Sequence, residues 1–147
     1  MDYLVYRTII YIHALSAIVS IGPFFILLPL VKKLHVAKDN ELDAYLGTFR
    51  FAVRLTKHAG HVLVFSGIVL VFSGPWTWST PWLLMTLFIM FCSLFFLARA
   101  FSPTLRKFKE EGHNKDELIA KLKRTIWIYI ALLLAMLWFM VVKPTLW

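Results

Sequence analysis

Four apolar runs, each long enough to cross a bilayer, limit this chain more than any other feature. The spans lie at about 4–31, 51–73, 82–101 and 125–142. A spanning helix needs roughly 20 apolar residues, because each adds about 1.5 Å across a hydrocarbon core about 30 Å thick. The chain is 60% hydrophobic with a mean hydropathy of +0.73, beyond the usual range of a soluble domain. Its 147 residues fit one transmembrane domain, 1–147. The sequence therefore predicts an all-α, integral membrane four-helix bundle of up-down-up-down order.

Charge sets the expected orientation. The net charge is +8. Six basic residues lie between Lys32 and Lys57, eight between Arg99 and Arg124, and only Arg7 and Lys143 fall outside. Two spans separate the basic blocks, so both share one side. The positive-inside rule makes that side the cytoplasm. Both termini then face outward across a bacterial cytoplasmic membrane, and nucleic acid is excluded as a partner. The lipid bilayer is the first partner implied, and a homo-oligomer remains open. No basic n-region precedes the first run, so it reads as a span and not as a signal peptide.

Local signals place the helix ends. Pro23 and Pro29 fall inside the first run, which is expected to tilt or to kink near Pro23. The second helix is expected to begin near Glu41, capped by Asn40 with Asp43, and to enter lipid near Phe51. In "SGPWTWSTPW", Gly74 and Pro75 stop it, Thr80 caps the third helix, and Pro81 opens it. Trp76, Trp78 and Trp82 suit the headgroup layer. Asn114 with Glu117 resembles a capping box for the fourth helix. His35 and His113 read as solvated loop histidines, and the lone Cys92 as a small packing residue.

Three histidines remain in the spans: His13, His58 and His61. Ionisable side chains there are costly, and so are candidates for function. Counted from their helix ends, His13 lies roughly 14 Å deep and His61 roughly 18 Å. The two are expected at one level on neighbouring helices. His13, Ala17, Ser20 and Phe24 share a stripe of mostly small residues, with Ser16 at its edge. Gly60, Gly67 and Gly74 recur at sevens along helix 2, giving a groove for helix packing or for a planar group. Arg50, Arg54, Lys57 and His61 share another stripe, suited to an acidic edge.

Haem b fits this set best. Zinc wants about four N, S or O donors, and the spans carry only those histidines, one cysteine and no acid. Copper prefers clustered thioethers, whereas Met85, Met90, Met136 and Met140 are scattered in sequence. Haem needs one or two axial side chains, and no CxxCH attachment motif is present. His13 and His61 are then the axial ligands, with His58 as the substitute for His61. Arg50, Arg54 and Lys57 would hold the propionates. Redox exchange with a quinone or a partner protein follows. A haem sensor or carrier, or a cofactor-free membrane adaptor, stands beside that reading. Phe24, Phe25, Phe65, Phe88, Phe91, Phe95, Phe96, Trp127 and Trp138 read as lipid-facing or packing residues, some of them walls of a cofactor site.

"YIHALSAIVSIGPFFILLPLVKK" resembles the first span of several small bacterial membrane families: an early histidine, small residues, then an aromatic-rich exit into a basic loop. The HemJ-like protoporphyrinogen oxidases and the CopD-like copper-resistance proteins share this pattern. "GHVLVFSGIVLVFSG" with "TPWLLMTL" is similar to the second and third spans of a family of four-span bacterial integral membrane proteins. The HemJ-like resemblance implies haem at His13, and sets Lys57 as a rough positional match for that group's later lysine.

A reporter fused after Trp147 should work only if its activity requires the outside of the cytoplasm. Cytoplasmic activity would reverse the assigned orientation.

Overall fold

The computed structural model describes residues 1–108, 110, 112 and 114–147. Among these residues the chain is helical, with no strand. Four helices are long and apolar enough to cross a membrane: α1 Tyr3–Leu34, α2 Asp39–Ser73, α3 Pro81–Lys107 and α4 Lys115–Val142. α1 is one helix through Pro23 and Pro29. Neighbours run antiparallel: His13 meets Ser66 while Ser20 meets Thr56, and Phe24 meets Tyr129 while His35 meets Asp116. α1 packs on α2 and on α4, and α3 packs on α4. One end of the bundle carries both chain termini and the tryptophans of the α2–α3 loop, and is called the tryptophan end. The other carries the α1–α2 and α3–α4 connections, and is called the basic end.

Caps fall close to where the residue types place them. α2 starts two residues before Glu41, and the Glu41 carboxylate accepts the Lys38 backbone N–H at 3.4 Å. The expected Asn40–Asp43 cap is therefore replaced by Glu41, whose longer side chain reaches back one turn. Pro81 occupies the first turn of α3, where its missing N–H costs nothing. Asn114 caps α4 by accepting the Asp116 N–H at 3.0 Å. α3 is α-helical over Pro81–Phe96, π-helical over Leu97–Phe101 and α-helical again over Ser102–Lys107. Pro103 accounts for that widened turn: it has no N–H for the Arg99 carbonyl, and its ring crowds that carbonyl.

Packing is uneven along the bundle. At the basic half the interior is filled by large side chains, with Phe24, Phe49, Phe101, Leu27 and Ile126 all essentially inaccessible. Phe24 is edge-on to Phe101 with ring centroids 5.3 Å apart, and 4.4 Å from Tyr129. Phe25, Phe65, Phe88, Phe91, Phe95, Trp127 and Trp138 point outward, as a helix in lipid allows. His35 is not simply solvated: its Nδ1 meets the Asp116 carboxylate at 3.3 Å, while Lys115 Nζ donates to the Ala37 carbonyl at 3.2 Å. These contacts tie the α1–α2 turn to the start of α4. His113 lies outside the described residues.

Phe24→Ala should loosen the bundle far more than Phe25→Ala. Lipid is as apolar as the interior, so the transfer gain largely vanishes. The remaining cavity cost, for about 100 Å³ of lost side chain, is roughly 2 kcal/mol. Unfolding in mixed detergent should show that loss for Phe24→Ala and little change for its exposed neighbour.

Candidate functional site

Toward the tryptophan end the inward positions carry small side chains. Ala14 and Ala17 on α1, Gly67 on α2 and Thr86 on α3 leave the bundle centre unfilled. The result is a cavity of about 580 Å³, walled by all four helices. Its lining is almost wholly apolar. Along α1 the lining runs from Tyr6 to Ile21, and Phe24 fills the interior one turn further on. Tyr6, Trp76, Trp78, Trp82 and Lys143 line its tryptophan end. This volume lies within the roughly 300–1,000 Å³ of small-molecule and cofactor sites.

His13 lies on the wall of this cavity, and its setting defines which ring nitrogen is available. The Ser66 hydroxyl donates to the Val62 carbonyl at 2.7 Å, with the Leu63 carbonyl at 3.1 Å. Its proton is thereby used, so Ser66 Oγ accepts Nδ1–H of His13 at 3.0 Å. In that neutral tautomer Nε2 carries the lone pair. Ring position is fixed by Gly67, where an added Cβ would lie 3.1 Å from His13 Cε1. A polar seam continues below: Ser16 donates to the His13 carbonyl, Ser20 to the Ser16 carbonyl, and Thr56 of α2 to the Ser20 carbonyl. Ser16, Ala17, Ser20 and Phe24 are all buried, so the small-residue stripe of α1 faces inward.

The structure does not bring His61 to His13. His13 pairs with Ser66, five residues from His61, which is about 7.5 Å along the axis. His61 is exposed on the outward side of α2 with His58, their ring centroids 6.5 Å apart. The level expected from run lengths is off because α1 reaches past α2: Tyr6, not Leu4, stands beside Gly74. Arg54 and Lys57 are exposed on that same outward side, and Arg50 is half-buried. None of these three lines the cavity. The glycines also divide: Gly67 and Gly74 face α1, while Gly60 faces Leu94 of α3.

Residues scattered in sequence converge here instead. Met90, Met136 and Met140 share the cavity with His13, although no spacing along the chain relates them. Lys143, a lone cation in the sequence reading, sits at the tryptophan end with Nζ 4.6 Å from the Trp76 ring centre and 5.4 Å from that of Trp82. Trp76, Trp78 and Trp82, read as an interfacial belt, also line the cavity. Among the described residues no three His, Cys, Asp or Glu side chains form a metal-holding group.

The His13–Ser66 pair should be measurable by a double-mutant cycle on His13→Ala and Ser66→Ala. A coupling of about 0.5 to 1.5 kcal/mol is expected for one interhelical hydrogen bond in a membrane protein. Strictly additive losses would mean that the two side chains do not act together.

Comparison of the chain with protein-family models, curated proteins and solved structures finds no match.

Proposed function

We propose that the protein is a multi-pass membrane protein that holds one b-type haem in the cavity at the tryptophan end, with His13 as its imidazole ligand, and that it acts in one-electron redox chemistry. The observation that supports this most is His13 itself. It is an imidazole with Nδ1–H engaged by Ser66, on the wall of a largely apolar cavity. Metal-binding histidines almost always have the second ring nitrogen held by such a partner, which fixes tautomer and ring direction. A bare ion fits less well, because donors about 2.0–2.5 Å from one point must converge. Side chains around about 580 Å³ of space stand apart. A porphyrin supplies four nitrogens of its own and asks the protein for one or two more.

In this reading His61 is not needed. The thioethers of Met90, Met136 and Met140 share the cavity, and one of them would hold the haem together with His13. Ser66 and Gly67 orient His13, while Ala14, Ala17, Leu63 and Leu83 keep water from the site. Bound haem supplies a one-electron couple. A quinone or a redox protein in the same membrane is the natural exchange partner. The positive-inside rule puts the basic end in the cytoplasm, so the cavity lies in the outer half of a bacterial cytoplasmic membrane. Arg50, Arg54 and Lys57 then act as interfacial cations that snorkel toward headgroups.

The test is an absorption spectrum of detergent-purified protein from haem-replete cells. Wild type should show a Soret band that His13→Ala abolishes or strongly alters. His61→Ala and His58→Ala should retain it. Ser66→Ala should weaken haem retention by about tenfold, in the range for an outer partner of a ligating histidine. No Soret band in well-folded wild type would sink the reading. Loss on extended washing would make haem cargo and the protein a carrier.

A further inference from the structure

We propose that this cavity takes an amphiphile with an acidic group, and that Lys143 receives that group at the tryptophan end. The inference rests on the cavity being the binding site, but not on iron or on His13. An occupant would then stand with its carboxylates toward the chain termini, at the opposite end from Arg50, Arg54 and Lys57. The chemical class is an anionic headgroup on an apolar body, which a porphyrin dicarboxylate and a membrane lipid both supply.

Three features of Lys143 carry the proposal. The first is its backbone. Lys143 has φ 51 and ψ 54, the one non-glycine residue in the left-handed region among those described. Glycine or asparagine is the usual choice at such a helix end, and a lysine there costs of order 1 kcal/mol. Its N–H still closes α4 on the Phe139 carbonyl at 3.1 Å. The left-handed turn redirects the chain before Pro144, and the lysine lines the cavity. The second is its holder. Trp76 and Trp82 meet edge to face at 5.1 Å and 86°, forming a corner of two indoles. Both lie within cation–π range of Nζ, a contact worth about 0.5–1 kcal/mol at an exposed site. An ammonium has three donors, and indole faces accept without neutralising its charge.

The third is the lack of a counter-charge. Among the described residues Lys143 has no carboxylate partner. The acids of the chain gather at the basic end, apart from Asp2. Arg7, the other cation at the tryptophan end, stacks on Tyr3 at 4.9 Å and does not line the cavity. An uncompensated cation at the edge of an otherwise apolar cavity selects for an anion on the occupant. One charge-assisted hydrogen bond is enough for about a tenfold preference.

Iron-free protoporphyrin, its dimethyl ester and oleate are the probes, titrated into full-length protein in a neutral detergent. Tryptophan fluorescence reports occupancy, because Trp76 and Trp82 line the cavity. Wild type should bind the diacid about tenfold more tightly than the ester. Lys143→Met should erase that preference and leave the ester affinity within about twofold. Lys143→Arg should keep the preference, and Arg7→Met should leave it intact. Oleate binding that falls in Lys143→Met together with that of the porphyrin diacid would support the acid site and show that a lipid can also supply the acid. Equal binding of diacid and ester by wild type would overturn the proposal. So would an undiminished preference in Lys143→Met, or no binding of any probe. These probes carry no iron, so a missing Soret band in wild type leaves this test independent.

Discussion

The close approach of α1 to α2 at His13 and Gly67 is the constraint on which the rest depends. With no Cβ on Gly67, the His13 ring fits against the α2 backbone, and its Nδ1–H reaches Ser66. That contact sets the register of two long antiparallel helices. Thr56 then falls beside Ser20, and Tyr6 beside Gly74. In lipid, where burial of apolar surface gives little drive, such small-residue contacts and hydrogen bonds hold helices together. One seam therefore supplies both the packing and the orientation of the imidazole.

Uneven side-chain size turns a packed bundle into one with a chamber. The basic half is filled by Phe24, Phe49 and Phe101. In the other half alanine, glycine and threonine face inward. Protein interiors otherwise have few voids larger than a water molecule. A partly open space of about 580 Å³ in so small a bundle is the product of that difference in side-chain size. The π-helical turn at Leu97–Phe101 lies in the filled half, where it brings Leu97 and Phe101 inward.

Charge divides along the same axis. Most cations gather toward the basic end, and Arg54 and Lys57 face outward near the middle of α2. Lys143 stands apart from them, held on two indoles at the tryptophan end of the cavity. Lys143 differs from the others in lying against an apolar cavity, where an acidic group on an occupant can reach it.

The helical class, the four long apolar helices and most of their ends were legible in the sequence. Hydrophobic run length and cap residues act locally: Pro81, Asn114 and Gly74 work within a turn of their own positions. The inward stripe through Ala17, Ser20 and Phe24 was also legible, because helical periodicity alone puts those residues on one face. His13 was visible as a costly polar group in an apolar run. What pairs with it was not, because depth counted from run ends assumed that α1 and α2 stop together. Packing instead offset them and turned His61 to the outside. The meeting of Met90, Met136, Met140 and Lys143 at one cavity belonged to tertiary structure alone. No periodicity links side chains on different helices, and only the helix register decides which of them share a space.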